Sequence, residues 1–150
     1  MQRWSLFTLK LALTLALALS AAVTSTHMLS AQERSASVAK DSRCFEMRTY
    51  TAAPGKSEAL HKRFREHTLK LFQRHGMTNV GYWVPTDRPD TIVYILAYPT
   101  RAAREESWKA FGADPEWQAA KKASEDATGG SLTTKVESVF MESTDYSPIK

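Results

Sequence analysis

Cysteine is almost missing from this chain: Cys44 is the only one in 150 residues. A single thiol cannot form an intramolecular disulfide, so the domain has to be held by its apolar core, and Cys44 reads as a strand-start residue without a chemical role. Histidine is scarce as well. His61, His67 and His75 share one helical stretch at spacings of 6 and 8 residues, which do not converge at about 100° per residue. His61 and His75 would lie roughly 21 Å apart along the axis, whereas a helical histidine pair for zinc wants a spacing of four. His27 lies far upstream, so no metal site is expected. No glycine-rich phosphate loop and no nucleophile elbow occur, which argues against a nucleotide cofactor and a covalent serine mechanism, and no cofactor is expected. A clustered basic stripe is absent too. The 20 Lys and Arg face 16 Asp and Glu without segregating, so nucleic acid is not an expected partner.

Long apolar runs are confined to one place. Leu11 to Leu19 is apolar apart from Thr14, follows Arg3 and Lys10 with no acid between, and gives way to Ser20, Ala21 and Ala22. This order matches a secretory signal peptide over residues 1–22, with Ala31 as a later cleavage point, and the run is too short for the roughly 20 residues of a membrane span. The expectation is an exported protein, periplasmic or secreted, with no stable membrane anchor after cleavage. Without the leader the balance becomes 18 basic against 16 acidic residues, a net charge of +2. Residues 23–43 read as a polar, disordered tether and 144–150 as a tail.

Between them, Cys44 to Tyr50 alternates Phe45, Met47, Thr49 with Glu46, Arg48, Tyr50, the period of a strand with two unlike faces. Pro54-Gly55 breaks it. From Ser57 the positions Leu60, Phe64, Thr68, Leu71 and His75 line one face of an amphipathic helix that stops at Gly76. Met77 to Val84 reads as a second strand, the turn 85–90 as an antiparallel connection, and Thr91 to Tyr98 as a third strand. Thr100 caps a second helical region. Asp114-Pro115-Glu116 restarts and bends it, with Asp as cap and Pro at the first helical position. Gly129-Gly130 ends it, and Ser131 to Glu142 forms the last strand. The order βαββαβ is that of a ferredoxin-like α+β domain over 44–143: a four-stranded antiparallel sheet with two helical regions on one face. The oily row Phe45 and Met47 should pack under the helices, which leaves Glu46, Arg48, Tyr50, Trp83, Tyr94 and Tyr98 on the open face, covered by a second copy of the sheet.

The motifs F-E-M-R-T-Y-T-x-x-P-G-K, R-H-G, G-Y-W, the third strand ending A-Y, and D-P-E-W-Q follow one another in register across Cys44 to Glu142. Together they resemble a NIPSNAP domain. The resemblance implies a ferredoxin-like domain that pairs into a dimeric α/β barrel, with a cleft between the sheet and its helices or the partner sheet. It places the chain in a superfamily of small monooxygenases, haem-degrading proteins and dismutase-like enzymes, although NIPSNAP proteins themselves mostly lack an assigned reaction. Eukaryotic members are linked to mitochondria, vesicle traffic and mitophagy signalling, roles that a secretory leader fits poorly.

Two functional readings stand side by side. In the first, a homodimer holds a small apolar or aromatic ligand in the barrel cleft, lined by Glu46, Trp83, Tyr94 and Tyr98. Its enzymatic version is a cofactor-independent monooxygenase or isomerase. Arg48 and Tyr50 would then stabilise developing negative charge, and His75 would serve as acid or base. In the second, the protein is a non-catalytic interaction or scaffold module with a closed barrel core: Glu46–Arg48 is an interface-pinning ion pair, His75 caps its helix, and Trp108 and Trp117 are packing residues.

Overall fold

The computed structural model describes residues 34–150. The chain divides into units 1–35 and 36–150, of which the second carries the fold; the leader expected at 1–22 and its alternative end at Ala31 lie outside the described residues.

Four strands, β1 (Cys44–Ala52), β2 (Thr78–Trp83), β3 (Thr91–Tyr98) and β4 (Thr133–Met141), form one sheet in the order β2-β3-β1-β4 with every pair antiparallel. Helices α1 (Ser57–Arg63) and α2 (Leu69–Arg74) are joined by a π-helical turn over Phe64–Thr68, and α3 (Arg101–Ala113) precedes α4 (Pro115–Asp126). This is the expected ferredoxin-like α+β arrangement. The punctuation acts as its chemistry dictates. Thr100 accepts the Ala103 N–H at 3.1 Å, and Asp114 accepts the Glu116 N–H at 2.7 Å, with Pro115 first in α4. Gly76, at φ 76°, takes the left-handed turn that ends α2.

Strand register overturns the expected facing of β1. Glu46, Arg48 and Tyr50 pair with Leu96, Tyr94 and Ile92, so all six side chains share one face. That face is the helix face: Ile92, Tyr94, Leu96 and Tyr98 are core residues together with Leu60, Phe64, Leu71, Phe72 and Phe111. Tyr94 meets Phe64 edge-on at 5.4 Å and stacks on Tyr82 at 5.4 Å. Phe45, Met47 and Thr49 therefore lie on the other face with Val93, Ile95 and Ala97. The physical reason is that the helices bring polar partners of their own to the Glu46 row, which makes its burial tolerable.

The open face keeps apolar surface. Met47, Val93 and Ile95 are only part-buried and Val139 is exposed, whereas Phe45, with Arg43 5.3 Å above its ring, is buried. Trp83 pairs with Val93 on this face, and its ring folds back over Gly81 where a Cβ would collide with it. The helices leave the helix face of β4 partly bare, so Val136 and Phe140 stay exposed.

Of the segment 23–43 expected as a disordered tether, residues 23–33 lie outside the described residues, and the part from Ala36 onward is ordered against the tail. Val38 bridges Thr144, the Ala39 N–H donates to the Ser143 carbonyl at 2.9 Å and the Asp145 N–H to that of Ser37 at 2.8 Å. Ala39 and Ser143 are buried. A polar segment lacks a core of its own but gains one by pairing along the other chain end.

Candidate functional site

Glu46 is the centre of a buried polar cluster. Its side chain is fully inaccessible, and six donors converge on its two oxygens. Arg48 Nη1, Arg104 Nη2 at 2.7 Å and Ser138 Oγ at 2.7 Å donate to Oε1. Arg104 Nε at 3.0 Å, the Tyr98 hydroxyl at 3.0 Å and Trp108 Nε1 at 3.1 Å donate to Oε2. Burial opposes ionisation here. Hydrogen bonds from Arg104 and Ser138 and the charge of Arg48 outweigh it and hold the carboxyl at about 2. A carboxylate so stabilised and so fully occupied is a poor proton acceptor; it positions the arginines and Trp108.

Arg48 carries that order toward solvent. Its Nε donates to the Tyr94 hydroxyl at 3.1 Å, its Nη2 to the Tyr50 hydroxyl at 3.3 Å, and its guanidinium lies 4.3 Å from the Trp108 ring centre. Burial pushes the Tyr94 phenol well above its ordinary value, and the Tyr82 and Tyr98 phenols are raised by the same cause. These tyrosines are neutral donors at physiological pH.

Beside this cluster lies a cavity of about 210 Å³ between the sheet and the helices. Tyr50 forms its polar floor, Phe64, Phe72, Trp108, Phe111 and Trp117 its aromatic walls, and Arg63, Lys121 and Glu125 its charged end. Exposed Val136 and Lys121 place its opening on the uncovered side of β4. The π-helical turn builds one wall: the Leu69 N–H reaches the Phe64 carbonyl five residues back, and Thr68 Oγ1 donates to the Arg63 carbonyl at 3.1 Å. Such single widened turns shift the register of a helix and recur at functional sites. Here the turn brings Arg63, Phe64 and Thr68 to the cavity together.

The residues singled out in the sequence are thus divided. Glu46, Arg48, Tyr50, Tyr94 and Tyr98 come together on the helix face, and of these Tyr50 lines the cavity. Trp83 does not join them. It borders a separate groove of about 250 Å³ with His61, Phe64, Leu69 and Tyr82. His75 is also elsewhere, its Nε2 2.7 Å from Asp114 Oδ2, where it ties the end of α2 to the cap of α4. His75, Glu116 and Trp117 N–H groups and Arg74 hold the Asp114 carboxyl at about 2. Among the described residues no three His, Cys, Asp or Glu side chains gather as a metal site. In the sequence Trp108 and Trp117 read as packing residues, and Arg63, Arg104, Lys121 and Ser138 belong to no motif. Arg63 had a signal, since it falls three residues after Leu60 and directly before Phe64, on the inward side of the helix.

Comparison with known proteins agrees with the architecture. No curated protein matches the chain. Among solved structures, a NIPSNAP family protein of unknown function from Agrobacterium tumefaciens superposes with a TM-score of 0.66 at 24% identity, over 75% of this chain and 98% of that one. An uncharacterised NIPSNAP domain protein from Burkholderia xenovorans gives 0.60 at 24% identity, over 70% and 98%. A Nitrosomonas europaea protein named as a candidate antibiotic biosynthesis monooxygenase gives 0.52 at 16% identity, over 72% and 94%. At these identities the likeness is one of fold. The NIPSNAP family profile, however, matches residues 45–148, which spans both the Glu46 cluster and the cavity beside it, and the chain belongs to the NIPSNAP family.

Proposed function

We propose that this NIPSNAP domain binds a small apolar or aromatic molecule in the cavity between its sheet and helices, and that two copies pair through their open sheet faces. The observation that carries the ligand reading is the cavity: about 210 Å³, walled by aromatic rings and floored by the Tyr50 hydroxyl. A cavity of about 150 Å³ accepts a benzene, so this volume suits one ring with a small substituent. A scaffold protein with a closed core has no need of such a space. The enzymatic version, a cofactor-independent monooxygenase or isomerase, draws on Tyr50. Its oxygen accepts a hydrogen bond from Arg48, which strengthens its own O–H as a donor toward an enolate or phenolate oxygen of the ligand. His75 is not needed in this version, being bound to Asp114 away from the cavity lining.

The dimer is supported by the part-buried Met47, Val93 and Ile95 and by exposed Val139 and Trp83 on the uncovered face. Export rests on the leader-like start of the sequence. The test is native mass spectrometry of the mature protein purified from its own host. A dimer carrying a small-molecule adduct, with an N-terminus at or beyond Val23, is expected; a bare monomer would sink both the ligand and the pairing.

A further inference from the structure

Arg63 is buried at 7% exposure, yet its guanidinium is poorly matched. Nη1 makes a long hydrogen bond of 3.3 Å to Ser124 Oγ and lies 3.7 Å from Glu125 Oε1, and Nε has no hydrogen-bond partner at all. The group sits over the Trp117 ring, its central carbon 5.2 Å from the ring centre. A buried arginine normally fills its planar fork with a carboxylate or with carbonyls, because an unmatched buried donor is costly. The loss of solvent lowers its proton affinity here, with the charge of Glu125 only partly opposing. Lys121 lines the same cavity, so two cations face one carboxylate, Glu125, around its charged end. Glu46 does not alter this balance, because Arg48 and Arg104 already occupy it.

We infer that Arg63 is the anion-recognition residue of the cavity and that the ligand is a single-ring aromatic carboxylate, its carboxylate held by the Arg63 guanidinium and its ring packed among Trp108, Phe111 and Trp117. This inference rests on the proposed ligand-binding role and narrows it to one chemical class. A planar guanidinium offers several N–H donors to a carboxylate, which a lysine ammonium does not match in shape. Lys121, exposed beside the opening, adds attraction for an incoming anion. At the opposite polar point, Tyr50 is placed to donate to a ring substituent.

Isothermal titration of the full chain with benzoate, phenylacetate and their uncharged amides tests it. Both acids are expected to bind about tenfold or more tightly than the matching amides, as suits hydrogen bonds to an ionised partner. Arg63→Met, which keeps the length of the side chain, should abolish the preference, whereas Arg63→Lys should retain part of it. Unliganded Arg63→Met should unfold in urea at the same or a higher midpoint, since it removes a poorly matched buried charge; a residue with a merely structural role would show the reverse. Equal affinity for acids and amides refutes the anion assignment and leaves the ligand-binding role standing. Failure of all four compounds to bind at millimolar concentration refutes both. The comparison of acid with amide in the unaltered protein decides the matter even if a variant does not fold.

Discussion

Replacing Glu46 by glutamine changes one atom and one charge at the point where β1, β3, β4 and α3 are tied together. Six donors now point at a carboxylate; in the amide, whichever side carries the NH₂ faces donors instead of accepting from them. Arg48 and Arg104, with side chains 12% and 16% exposed, lose their common counter-charge. Removing one partner of a buried ion pair costs about 3–5 kcal/mol, and the loss is expected near the upper end because two cations share this one. A second, independent signature is the acid limb. The folded Glu46 carboxyl is held at about 2 against an ordinary 4.5, so its stabilisation is complete above about pH 4.5 and is lost as pH falls toward 2. The sign follows from the unfolded chain taking up the proton first. A difference of this size corresponds to about 3 kcal/mol. Urea unfolding followed by circular dichroism, from pH 7 down to pH 2.5, measures both quantities. Glu46→Gln should have a lower midpoint at pH 7 and a flatter acid dependence than the unaltered protein. A variant within about 1 kcal/mol of the parent at pH 7, or one with the same acid dependence, would refute the assignment of Glu46 as the anchor of the cluster.

Tyr50→Phe keeps the ring contacts to Tyr94 and Phe64 but removes the cavity hydroxyl, so titration should show ligand affinity reduced several-fold while the urea midpoint shifts by about 1 kcal/mol or less. Asp114→Ala removes the cap of α4 together with the partner of His75 and Arg74, and should lower the thermal midpoint more than His75→Ala, which leaves the cap intact. Ile95→Glu on the open face should give a folded monomer by light scattering at micromolar concentration; persistence of a dimer would place the pairing surface elsewhere.

The strand and helix limits were legible because their signals are local. Thr100, Asp114-Pro115, Gly76 and the alternation of β1 act through bonds within a few residues, and the structure places the elements within a residue or two of the expected ends. The facing of β1 was not legible. Alternation separates Phe45, Met47 and Thr49 from Glu46, Arg48 and Tyr50, but which row goes inward depends on what the other elements offer. β3 gave no guide, since it is apolar in both parities. Arg104 and Trp108, more than fifty residues away in sequence, supply the donors that allow Glu46 to be buried. The cavity was hidden for a related reason. Its walls come from β1, from both helical regions and from the chain around β4, and a widened turn at Phe64–Thr68, invisible to a 3.6-residue pattern, brings Arg63 and Thr68 into the same lining.

By itself the sequence determined the order and type of elements, the caps between them and the family motifs, because these depend on neighbours along the chain. Only the tertiary structure decided that Glu46 is an anchor, that Tyr50 reaches the aromatic cavity while Trp83 and His75 do not, and that Arg63 carries a poorly matched buried charge. Those properties belong to distances across the sheet–helix interface, where residues far apart in sequence complete or fail to complete each other's hydrogen bonds.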